Sequence, residues 1–142
     1  MPRIDFYVLP DQTPNGRLLL ACKLSEKAYH SGYRVYLHTS SAEQARTVDD
    51  LLWTFRQGSF IPHALYPASA DDRSPVLIGL AECPPELVNG VVVNLGQAPP
   101  PDFERFERVI EVVDQEPETL AFSRDRFRFY RERGLKPTSH KL

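Results

Sequence analysis

Five arginines fall within the run from Ser123 to Arg133: Arg124, Arg126, Arg128, Arg131 and Arg133. Only Asp125 and Glu132 oppose them, so the run carries +3 in a chain whose formal net charge is −2. Phe127, Phe129 and Tyr130 are interleaved with the guanidinium groups. Guanidinium forks pair with carboxylates and phosphates in two-pronged geometry, and aromatic rings offer apolar surface beside them. The chemistry on offer is recognition of an anion that carries an apolar group.

Glu116 to Arg133 reads as a helix that Gly134 stops. At about 100° per residue, Phe122 and Phe129 lie within roughly 20° of each other and form the expected core face. Arg124, Phe127, Arg128 and Arg131 then project on the other side, about 140–240° from Phe122. On this reading Phe127 stands outside, framed by three guanidinium groups. A solvated basic face with one incidental exposed apolar residue is the plainer alternative.

Bond-making chemistry finds less support. The chain has no G-x-G-x-x-G and no G-x-x-x-x-G-K-[ST]. The loop Pro10–Gly16 holds one glycine, too few for a phosphate cradle. His30, His38, His63 and His140 have no metal-ligand spacing with each other or with a cysteine. His38-Thr39-Ser40-Ser41 stands at a strand end before a helix, where active sites collect, but the serines fit better as caps. Cys22 lies in mid-helix among leucines, a poor setting for a nucleophile. Residues 101–118 carry seven acids, Glu111 among them, against two arginines, or −5. They read as solvated surface, with Glu116 and Glu118 favouring the first turn of the last helix.

A second unusual stretch runs from Leu51 to His63, where Trp53, Phe55 and Phe60 cluster around a helix end and a Gly-Ser loop. Such aromatics serve either as core plugs or as interface anchors.

These residues need a scaffold. A length of 142 residues, 42% hydrophobic and 25% charged, suits one globular domain. No apolar run approaches the roughly 20 residues that span a bilayer, and no basic-then-apolar leader opens the sequence, so a cytoplasmic location is expected. Cys22 and Cys83 form neither a zinc site nor an evident disulfide. Strands are predicted at Ile4–Leu9, Tyr33–His38, Val76–Leu80, Val91–Leu95 and Val109–Val113. Helices are predicted at Arg17–His30, from Ser40 to about Trp53, and over the last segment, with a short one at Asp102–Glu107. Ser40 and Glu43 spell a capping box. Strands such as Val91–Leu95 are apolar throughout, which implies burial on both faces and a mostly parallel sheet between helices. The expected fold is an α/β three-layer sandwich of Rossmann-like topology without a phosphate-binding motif. One domain covers 1–134, and 135–142 is expected to be a loose tail.

Beyond these patterns the chain resembles the chi subunit family of bacterial DNA polymerase III holoenzyme. The resemblance covers nearly the whole length. It rests on Phe6-Tyr7-Val8-Leu9, on Ser31-Gly32-Tyr33-Arg34-Val35, and on Asp49-Asp50-Leu51-Leu52-Trp53 followed by Ser59-Phe60-Ile61-Pro62-His63. It closes with Arg124-Asp125-Arg126-Phe127-Arg128-Phe129-Tyr130-Arg131 and Gly134. It implies a nucleotide-binding-like fold without catalysis, cofactor or metal. It also implies two partners: the psi subunit of the clamp loader, in a heterodimer, and the acidic C-terminal tail of single-stranded DNA-binding protein. Arg124, Phe127 and Arg128 match the family's tail-binding residues, with Arg131 and Leu120 beside them. Trp53 and Phe60 match aromatics assigned to the psi-facing surface. The sequence departs from the family pattern at Phe127, where a tyrosine is expected, and at Leu120, where a lysine is expected. DNA contact would then be indirect and no membrane is involved. Two other functions remain open on the residues themselves. One is direct binding of single-stranded nucleic acid through the same helix. The other is a nucleotide-dependent or hydrolytic enzyme acting near Asp11–Gly16 or His38–Ser41.

Overall fold

A computed structural model describes residues 1–58, 60–67, 73–81, 85 and 87–142. Ser59, Cys83 and Pro84, which entered the sequence reading, lie outside the described residues. Seven strands form one sheet: β1 (Arg3–Val8), β2 (Val35–His38), β3 (His63–Leu65), β4 (Val76–Gly79), β5 (Val91–Asn94), β6 (Arg108–Val113) and β7 (Thr138–Lys141). Their order is β3-β4-β2-β5-β6-β1-β7. Every pairing is parallel. The helices are α1 (Gly16–His30), α2 (Ala42–Thr54) and α3 (Pro117–Glu132), with a 3₁₀ turn at Phe103–Arg105.

Parallel strands need crossovers, and the crossovers cover both faces of the sheet. Side chains alternate along each strand, so each strand feeds two cores. Val35, Leu37, Val76, Ile78, Val91 and Val93 join the core beneath α1 and α2. Tyr36, Leu77, Val92, Val109 and Val113 join the other, with Tyr130 of α3 and with Phe103 and Phe106. All four residues of β2, β4 and β5 are buried, as the unbroken apolar runs required. The three-layer α/β expectation therefore holds.

Three local readings need correction. The α2 cap is Ser41, whose Oγ accepts from the Gln44 N–H at 3.0 Å, while Gln44 Oε1 accepts from the Ser40 N–H at 2.8 Å. The box is thus built one residue later than Ser40–Glu43, with glutamine in place of glutamate. The three-residue β3 was too short for periodicity to reveal. The supposed loose tail instead contains β7, which lies beside β1 in parallel register, Asp5 opposite Thr138 and Val8 opposite Lys141. Two interactions hold it there. His140 Nε2 contacts Asp5 Oδ1 at 2.8 Å, and the His140 ring stacks on Tyr7 at 4.6 Å.

Candidate functional site: an arginine-lined groove on the last helix

Glu116 starts α3, accepting from the N–H groups of Glu118 and Thr119 at 3.1 and 2.9 Å, with Pro117 at the first helical position. These bonds hold the Glu116 carboxyl below the usual range. Gly134, at φ +81, ends the helix in the left-handed region.

The buried residues of α3 are Ser123, Arg126 and Tyr130. The core face is therefore rotated from the predicted one: Phe122 and Phe129 are only half-buried. The reason lies in β6. Strand alternation places Glu111 between Val109 and Val113, on the face that α3 covers. Its side chain is fully inaccessible, so the reading of Glu111 as solvated surface is wrong. Arg126 Nε donates to Glu111 Oε1 at 2.9 Å, and Tyr130 Oη donates to Oε2 at 2.6 Å. Asn94 Nδ2 donates to both oxygens at 3.1 Å. Arg126 Nη1 donates to the Gln97 carbonyl at 2.9 Å. Burial pushes the Glu111 carboxyl upward against the opposing pull of Arg126, Tyr130 and Asn94, and burial also pushes the Tyr130 hydroxyl upward. Hydropathy counts every arginine as surface, so no apolar pattern could find an arginine buried by its partner.

Arg124, Arg128 and Arg131 remain exposed. With Phe127 and Glu132 they line a groove of about 470 Å³. Phe127 is half-buried rather than free-standing, because its ring packs on Phe6 at 5.3 Å. Leu120, Arg124 and Phe127 also line an adjoining groove of about 620 Å³ between α3 and the β1–β7 edge. The structure thus brings all five predicted residues of this face together, with Arg124 and Phe127 as the shared ridge.

Trp53 and Phe60 lie at the other end of the sheet, near β3. They are 54% and 63% exposed and meet at 5.5 Å. Trp53 rests on His63 at 4.6 Å, and His63 Nδ1 meets the Ile61 carbonyl at 2.6 Å while its Nε2 lies 3.2 Å from Asp49 Oδ1. Trp53 and Phe60 are thus exposed rather than core plugs, whereas Phe55, the third aromatic of the cluster, is half-buried against the core beneath α1 and α2.

The positions considered for catalysis have structural duties. His38 is buried and its Nδ1 contacts Asn94 Oδ1 at 2.8 Å. Ser40 and Ser41 hydrogen-bond Gln44. Burial pushes the Cys22 thiol up to about 12. The cavity at the carboxyl ends of the strands, lined by Arg17, Ser40, Gly96 and Glu116 among others, measures about 90 Å³. That is well below the roughly 300 Å³ at which small-molecule sites begin. Among the described residues no cluster of histidine, cysteine and acidic side chains could hold a metal ion. No described helix is long and apolar enough to cross a membrane.

Comparison with known proteins decides the family. The family model described as DNA polymerase III chi subunit, HolC, matches residues 1–138. The chain belongs to the DNA polymerase III chi subunit family. It is 44% identical to the DNA polymerase III subunit chi of Pseudomonas aeruginosa, over 100% of this chain and 98% of that protein. It is 25% identical to the Escherichia coli subunit chi, over 95% of each chain. The chi-family match spans both candidate surfaces, the Trp53–Phe60 platform and the arginine-lined helix.

Proposed function

We propose that this chain is a non-catalytic accessory subunit of the replicative DNA polymerase III holoenzyme. In this reading it is an adaptor with two docking surfaces. The α3 groove takes the acidic C-terminal tail of single-stranded DNA-binding protein, and the Trp53–Phe60 platform takes the psi subunit of the clamp loader. The observation that carries the reading is their separation: β3 and β7 are opposite edges of the sheet, so both partners have room at once. Family membership supplies the replicative setting.

On the α3 side, Arg124, Arg128 and Arg131 give carboxylates bidentate partners, and Leu120 and Phe127 give an apolar terminal side chain a floor. Direct binding of single-stranded nucleic acid is less well supported. Base stacking along a strand uses successive exposed aromatic rings, and every aromatic residue of α3 is at least half-buried. The pI near 6.1 also disfavours a polyanion.

Fluorescence anisotropy tests the reading, using a labelled acidic peptide ending in Asp-Ile-Pro-Phe and the same peptide lacking its last residue. Salt-sensitive micromolar binding that disappears with the terminal Phe is expected. Equal binding of the two peptides would reduce α3 to a general basic face and overturn the assignment.

A further inference from the structure

We propose that β7 forms one wall of the peptide groove and that Lys141 is a specificity-determining cation in it. The inference rests on the reading of α3 as an acidic-tail site and extends that site to a second element.

The placement follows from strand alternation. On β1, Asp5 and Tyr7 face the α1 side, while Phe6 and Val8 face α3. His140 touches Asp5 and Tyr7, so it belongs to the α1 side. Ser139 and Lys141, its neighbours on the strand, therefore project toward α3. Ser139 pairs with Phe6 and Lys141 with Val8. Lys141 accordingly lines the groove of about 620 Å³ together with Val8, Leu120, Arg124 and Phe127. The helix contributes the Arg124 guanidinium and the strand the Lys141 ammonium, and Val8, Leu120 and Phe127 give the groove apolar surface beside the polar Gln115 and Ser139. Among the described residues no Asp or Glu side chain lines this groove, although Leu142, the last residue of the sequence, does, whereas Glu132 lines the neighbouring one.

That arrangement fits one occupant: a peptide end with a bulky apolar last side chain and a free α-carboxylate. The side chain lies on Leu120 and Phe127, and the carboxylate sits between Arg124 and Lys141. Upstream acidic residues then run toward Arg128 and Arg131. Charge complementarity selects the acidic peptide, and the paired cations select its free end. The contact of His140 with Asp5 holds the β7 backbone that carries Lys141 against β1.

The test compares the acidic Asp-Ile-Pro-Phe peptide with a free terminus against the same peptide amidated. Both are titrated against the wild-type chain, Lys141→Gln, Lys141→Arg and Arg124→Gln, with melting temperatures taken alongside. Lys141 is exposed, so Lys141→Gln should melt as wild type does. It should weaken the free-ended peptide about five- to tenfold, the scale of one charge-assisted contact, and barely affect the amide. Lys141→Arg should restore the preference. If Lys141→Gln keeps the wild-type preference for the free terminus while Arg124→Gln loses it, the strand has no part in recognition and the inference fails alone. If the wild-type chain binds neither peptide, the inference and the acidic-tail reading fail together.

Discussion

Arg124 and Arg126 are two residues apart on the same basic helix, yet the structure gives them opposite duties, and replacing each in turn separates them. Arg126 is 2% exposed and Glu111 is fully buried. In Arg126→Met the methionine fills most of the volume, but the Glu111 carboxylate keeps only Tyr130 and Asn94. Removing one partner of a buried ion pair costs about 3–5 kcal/mol, because the remaining charge stays desolvated without its counterion. For a domain of this size each kcal/mol lowers the melting temperature by about 3 °C, so a drop on the order of 10 °C is expected.

The pH dependence identifies the cause. Without Arg126, the carboxyl of Glu111 rises further above its ordinary value in the folded state. A raised folded-state value means that the native protein binds the proton more tightly than the unfolded chain does. The penalty is then fullest at neutral pH and shrinks as pH falls toward the ordinary carboxylate value. Urea unfolding followed by circular dichroism, from pH 7.5 down to about pH 5, should show the variant recovering toward wild type. Adding Glu111→Gln should recover much of the loss at neutral pH, so the two substitutions will not be additive. Arg124→Ala removes an exposed side chain and should change stability by no more than about 0.5 kcal/mol while weakening the acidic peptide about five- to tenfold. An Arg126→Met protein within about 1 kcal/mol of wild type at every pH would refute the claim that this pair fixes α3 to the sheet.

Other consequences are separately measurable. Arg128→Ala should weaken the acidic peptide several-fold at low salt and flatten the dependence of affinity on ionic strength, as read by anisotropy between about 25 and 200 mM salt. Trp53→Ala and Phe60→Ala, at exposed positions, should leave the melting temperature nearly unchanged and abolish co-elution with psi in gel filtration; persistence of the complex would remove the platform from that interface. Asp5 is inaccessible: burial pushes its carboxyl up, but hydrogen bonds from His140 and Arg108 and the charges of Arg108 and Arg3 outweigh this and hold it below the usual carboxylate range. Its stabilisation is therefore complete above the ordinary carboxylate range and is lost as pH falls through the depressed folded value. Between about pH 5 and pH 2 the wild type should lose stability more steeply than Asp5→Asn, and parallel melting curves would refute it.

Five of the seven described strands and the three α-helices were legible in the sequence because both kinds of pattern are apolar. Val91–Leu95 announced a strand buried on two faces, and Leu20, Leu24 and Ala28 announced α1. The phase of α3 was not legible for the same reason. A solved ion pair turns Arg126 into a core residue, and hydropathy has no means of crediting a charge with a partner fifteen positions earlier. β7 escaped notice because Thr138-Ser-His-Lys141 carries no apolar alternation. Its place is set by hydrogen bonds to β1 and by the Asp5–His140 contact, both of which need the fold to exist first. Of the site, the exposed arginines could be read from their number and spacing. Lys141 could not, because its membership depends on which strand lies beside β1.

The misread phase also bears on how the groove works. Had Phe122 and Phe129 formed the core face, α3 would be held by apolar contact alone, and its rotation about its own axis would be loosely set. Glu111 instead accepts from Arg126 and Tyr130, one helical turn apart, and these directed bonds fix both the rotation and the height of the helix. Arg124, Arg128 and Arg131 belong to the same rigid rod, so fixing the buried face also fixes their spacing on the outer face. On the proposed reading, the groove is then positioned before a peptide binds, and the ordering cost of association would fall mainly on the ligand. If the groove takes an acidic tail as proposed, the Arg126–Glu111 pair is what sets the spacing at which Arg124, Arg128 and Arg131 meet it.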